Sequence, residues 1–128
     1  MKKHFLILSL FALFATVGFA QTPAISFDKT VHDFGVINEE DGMAKTVFEF
    51  TNTGDAPLVI SRVNASCGCT TPNWTKEPVA PGEKGTVEVG YNAAGRPGAF
   101  TKSVSINSNT GQSVSLIIKG EVKPKPKG

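Results

Sequence analysis

The chain has 128 residues, 40% of them apolar and 19% charged, with a formal net charge of +2. That balance fits one ordinary globular domain and lacks the basic stripe of a nucleic-acid binder. Met1-Lys2-Lys3-His4 opens the chain, and an apolar run from Phe5 to Ala20 follows, closing on Gly18-Phe19-Ala20. A basic start, an apolar stretch and a small-x-small end predict a signal peptide over residues 1–20, cut between Ala20 and Gln21. The run is shorter than the ~20 apolar residues a spanning helix needs, so no membrane span is expected after cleavage. Cleavage removes Lys2 and Lys3, and the 13 basic residues fall to 11 against 11 acidic ones. The mature chain is then close to neutral and long enough for a modest core.

Along the mature chain, apolar residues alternate with polar ones, and Gly, Pro, Asn and Asp interrupt at short intervals. This is the pattern of short strands in a sandwich, with no sustained helical period. Ala24 to Phe27 is a first strand, and Asp28-Lys29 ends it. Val31 to Ile37 is a second, with Gly35 marking a bulge or a close backbone approach. Asn38 to Gly42 is an acidic loop. Ala44 to Thr53 carries Phe48 and Phe50 on one face, and Asn52-Thr53-Gly54-Asp55 turns the chain. Leu58 to Val63 follows, and the register change at Arg62 predicts a bulge there. Thr71 to Trp74 reads as irregular or edge-like, because Pro72 donates nothing to a ladder. Thr86 to Asn92, Phe100 to Asn107 and Val114 to Val122 complete about seven strands, expected to pair antiparallel in two packed sheets. The expected core is Ile25, Phe27, Phe34, Phe48, Phe50, Leu58, Ile60, Val87, Val89, Phe100, Val104, Ile106, Leu116 and Ile118. The domain spans residues 21–122, and 123–128 form a flexible Lys/Pro tail that alternating proline keeps extended.

The two cysteines stand one residue apart in Ser66-Cys67-Gly68-Cys69-Thr70-Thr71. That spacing cannot clamp two sheets together, as the distant pair of an immunoglobulin domain does. Three states remain: two thiols, a local disulfide, or a pair of metal ligands. In an extended strand the two Cα atoms would stand roughly 6.5–7 Å apart. That is the upper edge of the ~4.4–6.8 Å disulfide range. Gly68 relaxes the problem if it adopts positive φ. The ring would be small, which suits a labile redox element better than a staple. A structural zinc site needs four ligands, whereas the mature chain offers two cysteines and His32. Copper(I) asks for fewer thiolates, leaving Cys67 and Cys69 as weak metal candidates. A local disulfide or packed thiol turn is the leading reading, and no cofactor is expected.

Other candidates are fewer. Trp74 with Asn73 and Tyr91 is a candidate aromatic platform for a glycan or peptide. Arg62 is a candidate anion site, although pairing with Glu49 or Glu88 on a sheet face is the simpler expectation. His32 beside Asp33 has no nucleophile placed next to it by sequence and reads as a surface histidine.

Several short motifs then carry a resemblance. Asp33-Phe34-Gly35-Val36-Ile37, Phe48-Glu49-Phe50-Thr51-Asn52-Thr53-Gly54, Leu58-Val59-Ile60, Ser66-Cys67-Gly68-Cys69-Thr70, Pro81-Gly82, Gly98 to Lys102, Ser108-Asn109 and Gly120 stand in an order that resembles the bacterial domain-of-unknown-function family 1573. The resemblance covers nearly all of the mature chain. It implies an all-β, immunoglobulin-like antiparallel sandwich, similar to domains of the major-sperm-protein and PapD type, in a secreted or envelope protein. It implies no activity. The resulting expectation is a non-enzymatic binding or assembly module in the periplasm or at the cell surface, with another envelope protein or peptide as partner. A thiol–disulfide or copper-handling role for Cys67 and Cys69, and a glycan-binding role centred on Trp74, are the alternatives.

Overall fold

Alternation along the strands puts one apolar face of each sheet inward, and two sheets close over those faces. The computed structural model describes residues 21–126. Ala20 and the leader, like Lys127 and Gly128, lie outside the described residues, and Gln21 is the first within them. Eight strands are present there: β1 (Ile25–Phe27), β2 (Val31–Asn38), β3 (Met43–Asn52), β4 (Ile60–Ala65), β5 (Thr70–Trp74), β6 (Lys84–Asn92), β7 (Gly98–Ser108) and β8 (Ser113–Lys123). One 3-10 turn, Glu39–Asp41, joins β2 to β3. The first sheet has the order β1-β3-β6-β5 and the second β2-β8-β7-β4. The chain is an all-β, immunoglobulin-like sandwich.

Thr70–Trp74 lies at the edge of the first sheet, as expected of a segment carrying Pro72, but it is regular enough to count as an eighth strand. Pairing is also not wholly antiparallel: β2 runs parallel to β8, from Val31 opposite Ile117 to Asn38 opposite Lys123. Alternation reports which face is buried, not which strand lies alongside, so the direction of β2 had no sequence signal.

The expected core largely forms. Phe48, Phe50, Leu58, Val87 and Val89 are fully enclosed, and Val104, Ile106, Leu116, Ile118 and Val122 nearly so. Each such side chain contributes about 1.5–3 kcal/mol of burial. Ile25, Phe27 and Phe34 pack on the rim of that cluster. Leu58 does not extend β4. It makes an isolated bridge to Val79, with amide–carbonyl distances of 2.9 and 2.8 Å. The expected irregularity near Arg62 is present, as a register shift between Ile60 and Arg62 against β7.

The Asp33-Phe34-Gly35 motif is a bulge with every part employed. The register shifts between Asp33 and Val36. Gly35 takes φ 67°, and its amide donates to the Asp33 carboxylate at 2.8 Å. Phe34 turns inward, 6.3 Å from Phe100. Opposite lies Gly120, where a Cβ would stand 2.8 Å from the Gly35 carbonyl oxygen and 3.0 Å from the Phe100 ring. The bulge therefore fits only against a residue without a side chain.

Candidate functional site

Two places combine chemistry with accessibility. They are the corner between β4 and β5, which carries the cysteines, and the open edge of β2.

The corner is where the chain leaves the edge of one sheet for the edge of the other. Ser66 to Cys69 makes the crossing. A turn closes it, with the Thr70 N–H donating to the Cys67 carbonyl at 3.1 Å. The turn draws the two cysteine Cα atoms to 5.1 Å, inside the disulfide range, and Cys67 and Cys69 are bonded. Gly68 does this without positive φ, contrary to the expectation for it, and a Cβ there would meet nothing within 4 Å. Cys69 is 3% exposed and belongs to the core, whereas Cys67 is half-buried on its rim. Neighbouring strands hold both ends. The Ser66 N–H donates to the Ser103 carbonyl at 2.9 Å, and the Ser103 N–H returns to Ser66 Oγ at 3.1 Å. The Asn92 N–H donates to the Cys69 carbonyl at 2.9 Å. While bonded to each other, the two sulfurs are not thiolate ligands.

The other sequence candidates do not gather here. Tyr91 is 2% exposed and stacks on Phe100, with ring centroids 3.9 Å apart and planes 6° from parallel. It joins the sheets through the core and forms no platform with Trp74. Its place in phase with Val87 and Val89 was the signal for burial. Trp74 sits opposite Val87 in the β5–β6 pairing and is partly buried against the core. The Lys76 ammonium lies 3.0 Å from the centre of its ring. A shallow cleft of about 200 Å³ runs beside it, lined by Val47, Asn73, Trp74, Thr75, Thr86 and Glu88. Arg62 is exposed on the opposite sheet, where its Nε donates to Asn64 at 3.4 Å. The glutamates proposed for it pair elsewhere, Glu49 with Lys84 at 3.1 Å and Glu88 with Lys45 at 3.9 Å. His32 is half-buried against Phe34, ring edge to face at 4.6 Å, and receives Lys29 Nζ at 2.9 Å on Nδ1.

The β2 edge was not singled out by the sequence. Its outer side pairs with no strand among the described residues. Val31 is 44% and Val36 67% exposed, two of the four large apolar side chains most open to solvent among the described residues. Val36, Ile37 and Met43 line a second cleft of about 260 Å³ where β2 meets the start of β3, with Asn38, Asp41, Gly42 and Ala44. Both clefts fall below the ~300 Å³ at which small-molecule pockets begin.

Comparison with solved structures places the sandwich among known folds. A protein of unknown function from Porphyromonas gingivalis W83 is similar, with a TM-score of 0.67 and 21% identity over 80% of this chain and 48% of that one. A PapD-like domain of human CEP192 is similar at a TM-score of 0.64 and 6% identity, over 80% of this chain and 87% of that one. The VesB protease of Vibrio cholerae is similar at a TM-score of 0.60 and 20% identity, over 76% of this chain and 31% of that one. The chain thus spans about half of the Porphyromonas protein and about a third of VesB. At these identities the likeness is one of fold. No curated protein matches the chain. Residues 25–122, from the first residue of β1 to Val122 in β8, match the family described as protein of unknown function, DUF1573, and the chain belongs to that family.

Proposed function

We propose that the chain is a secreted, non-catalytic binding or assembly module of a bacterial envelope. It takes an extended segment of another envelope protein or peptide onto the open edge of β2. The observation that carries this reading is the coincidence on one strand of an unpaired outer edge with the exposed Val31 and Val36. Strand addition needs an edge for main-chain hydrogen bonds and a cleft for alternate side chains. The cleft beside Val36, Ile37 and Met43 would take one apolar side chain of the guest.

The other edges are less suited. β5 contains Pro72, which blunts an edge, and none of β1, β4 and β5 carries a large apolar side chain as exposed as Val31 or Val36. The bulge at Gly35 divides β2, so the guest is expected along Val36 to Asn38 and into the cleft. The apolar leader of the sequence supports an envelope location. The occurrence of similar sandwiches as parts of longer chains, VesB among them, supports the role of a module.

The test is capture from a bacterial envelope extract with three immobilised mature proteins: wild type, Val36→Lys, and Cys67→Ser with Cys69→Ser. A partner held by the wild type and the cysteine-free protein but released by Val36→Lys is the expected result. Equal capture by all three would sink the β2 assignment. Val36→Lys places a charge on the surface, so its stability should stay within about 0.5 kcal/mol of wild type.

A further inference from the structure

The Cys67–Cys69 bond holds together little that is not already held. It closes a loop of two-residue sequence separation, so it restrains the unfolded chain less than the ~3 kcal/mol of a fifteen-residue loop. Both flanks of the corner are fixed by hydrogen bonds that involve no sulfur. These are Ser66 with Ser103 in both directions, Asn92 to Cys69, and Thr70 to Cys67. None of these hydrogen bonds runs through a sulfur, so breaking the S–S bond removes none of them directly.

The two sulfurs are also unequal. Cys69 is enclosed, while Cys67 lies on the rim beside the open space at Gly68. Each has a neighbour able to hold developing negative charge. The Cys69 N–H donates to Cys67 Sγ at 3.1 Å, and the Thr70 hydroxyl lies 3.8 Å from Cys69 Sγ.

We propose that Cys67–Cys69 is a thiol–disulfide exchange site for a dithiol peptide or protein, with Cys67 the sulfur attacked and Cys69 the buried resolving thiol. One thiolate of the substrate attacks Cys67 Sγ. The Cys67–Cys69 bond breaks, and its electron pair leaves on Cys69 Sγ beside the Thr70 hydroxyl. The second substrate thiolate attacks the substrate sulfur of the mixed disulfide and forms the substrate's own disulfide. Cys67 leaves as a thiolate facing the Cys69 N–H. The substrate dithiol is thereby oxidised, the cysteine pair is reduced by two electrons, and the two protons shed by the substrate end on Cys67 and Cys69. The reverse sequence reduces a substrate disulfide. This site does not depend on the β2 edge, and its test reads sulfur chemistry alone.

The experiment equilibrates the mature wild-type protein in reduced and oxidised glutathione at graded ratios. It then quenches with acid, alkylates, and reads the redox fraction by mass, with circular dichroism followed in parallel. A reversible transition approached from both directions, with the folded spectrum kept throughout, is expected. Reduction that requires denaturant, or that abolishes the folded spectrum, would overturn the proposal. Single variants assign the sulfurs. With oxidised glutathione, Cys69→Ser should form the Cys67 adduct roughly tenfold faster than Cys67→Ser forms the Cys69 adduct, because access governs the rate. Equal rates would refute the assignment of roles.

Discussion

The Asn52 side chain is fully enclosed, yet it meets four polar backbone groups from different parts of the chain. Its Oδ1 accepts from the Gly54 amide at 2.9 Å and the Ala24 amide at 3.4 Å. Its Nδ2 donates to the carbonyls of Ala56 at 2.7 Å and Val79 at 2.8 Å. Asn52→Ala leaves these groups short of partners in a dry site and should cost on the order of 3 kcal/mol in urea unfolding. Thr53→Ala, one residue along and exposed, should cost under about 0.5 kcal/mol. The sequence marked Asn52 only as a turn residue, because the groups it serves are up to 28 positions away and converge only once the sheets close. His32 gives the pH dependence. Burial first, then the charge of Lys29, lower its pKa below the ordinary 6.5, with Asp33 opposing. The native state therefore favours the neutral ring, and the unfolded chain takes the proton first as pH falls. The stability from this group is intact above about pH 6.5 and is lost as pH falls through the depressed native value. An NMR titration should find the His32 midpoint below 6.5, and His32→Gln should flatten the acid-side decline in stability.

At the scale of elements, strand positions and inward faces were legible because a half-buried strand writes its burial as alternation. Phe48 and Phe50 on β3, and Leu116 and Ile118 on β8, are where the pattern put them. Partners were less legible. The parallel β2–β8 pairing, the Leu58–Val79 bridge and the open edge of β2 depend on how distant segments meet. Gly35 was readable as an irregularity, but its complement Gly120 emerged only from the packed pair. Gly120→Ala should force the bulge away from Phe100 and destabilise by about 1–3 kcal/mol in thermal or urea unfolding. Gly68→Ala, by contrast, meets open space and should leave stability nearly unchanged. The difference separates a glycine required by a close approach from one at which the corner tolerates a side chain. The candidate site divides similarly. Spacing alone limited the cysteines to a local role, and the turn that brings their Cα atoms to 5.1 Å realises the disulfide among the alternatives. Tyr91 was a candidate partner for Trp74 on its aromatic chemistry, whereas its parity with Val87 and Val89 on β6 puts it in the core, 2% exposed.

As a whole molecule, the chain is a closed sandwich whose inner faces are spent on one core. Function is left to its rims and edges. Under the proposed function, the clefts of about 260 and 200 Å³ take single side chains of a partner chain. The corner disulfide and the β2 edge are separate devices: one is a sulfur pair at the crossing from β4 to β5, the other a run of unpaired backbone on β2. The most direct test of the proposed docking edge is amide hydrogen exchange on the mature protein, free and with a partner captured from the envelope extract. New protection concentrated in Val31–Asn38, strongest from Val36 to Asn38, is the result expected. Unchanged exchange along β2 with new protection at β4, at Trp74 or at the cysteine corner would contradict it.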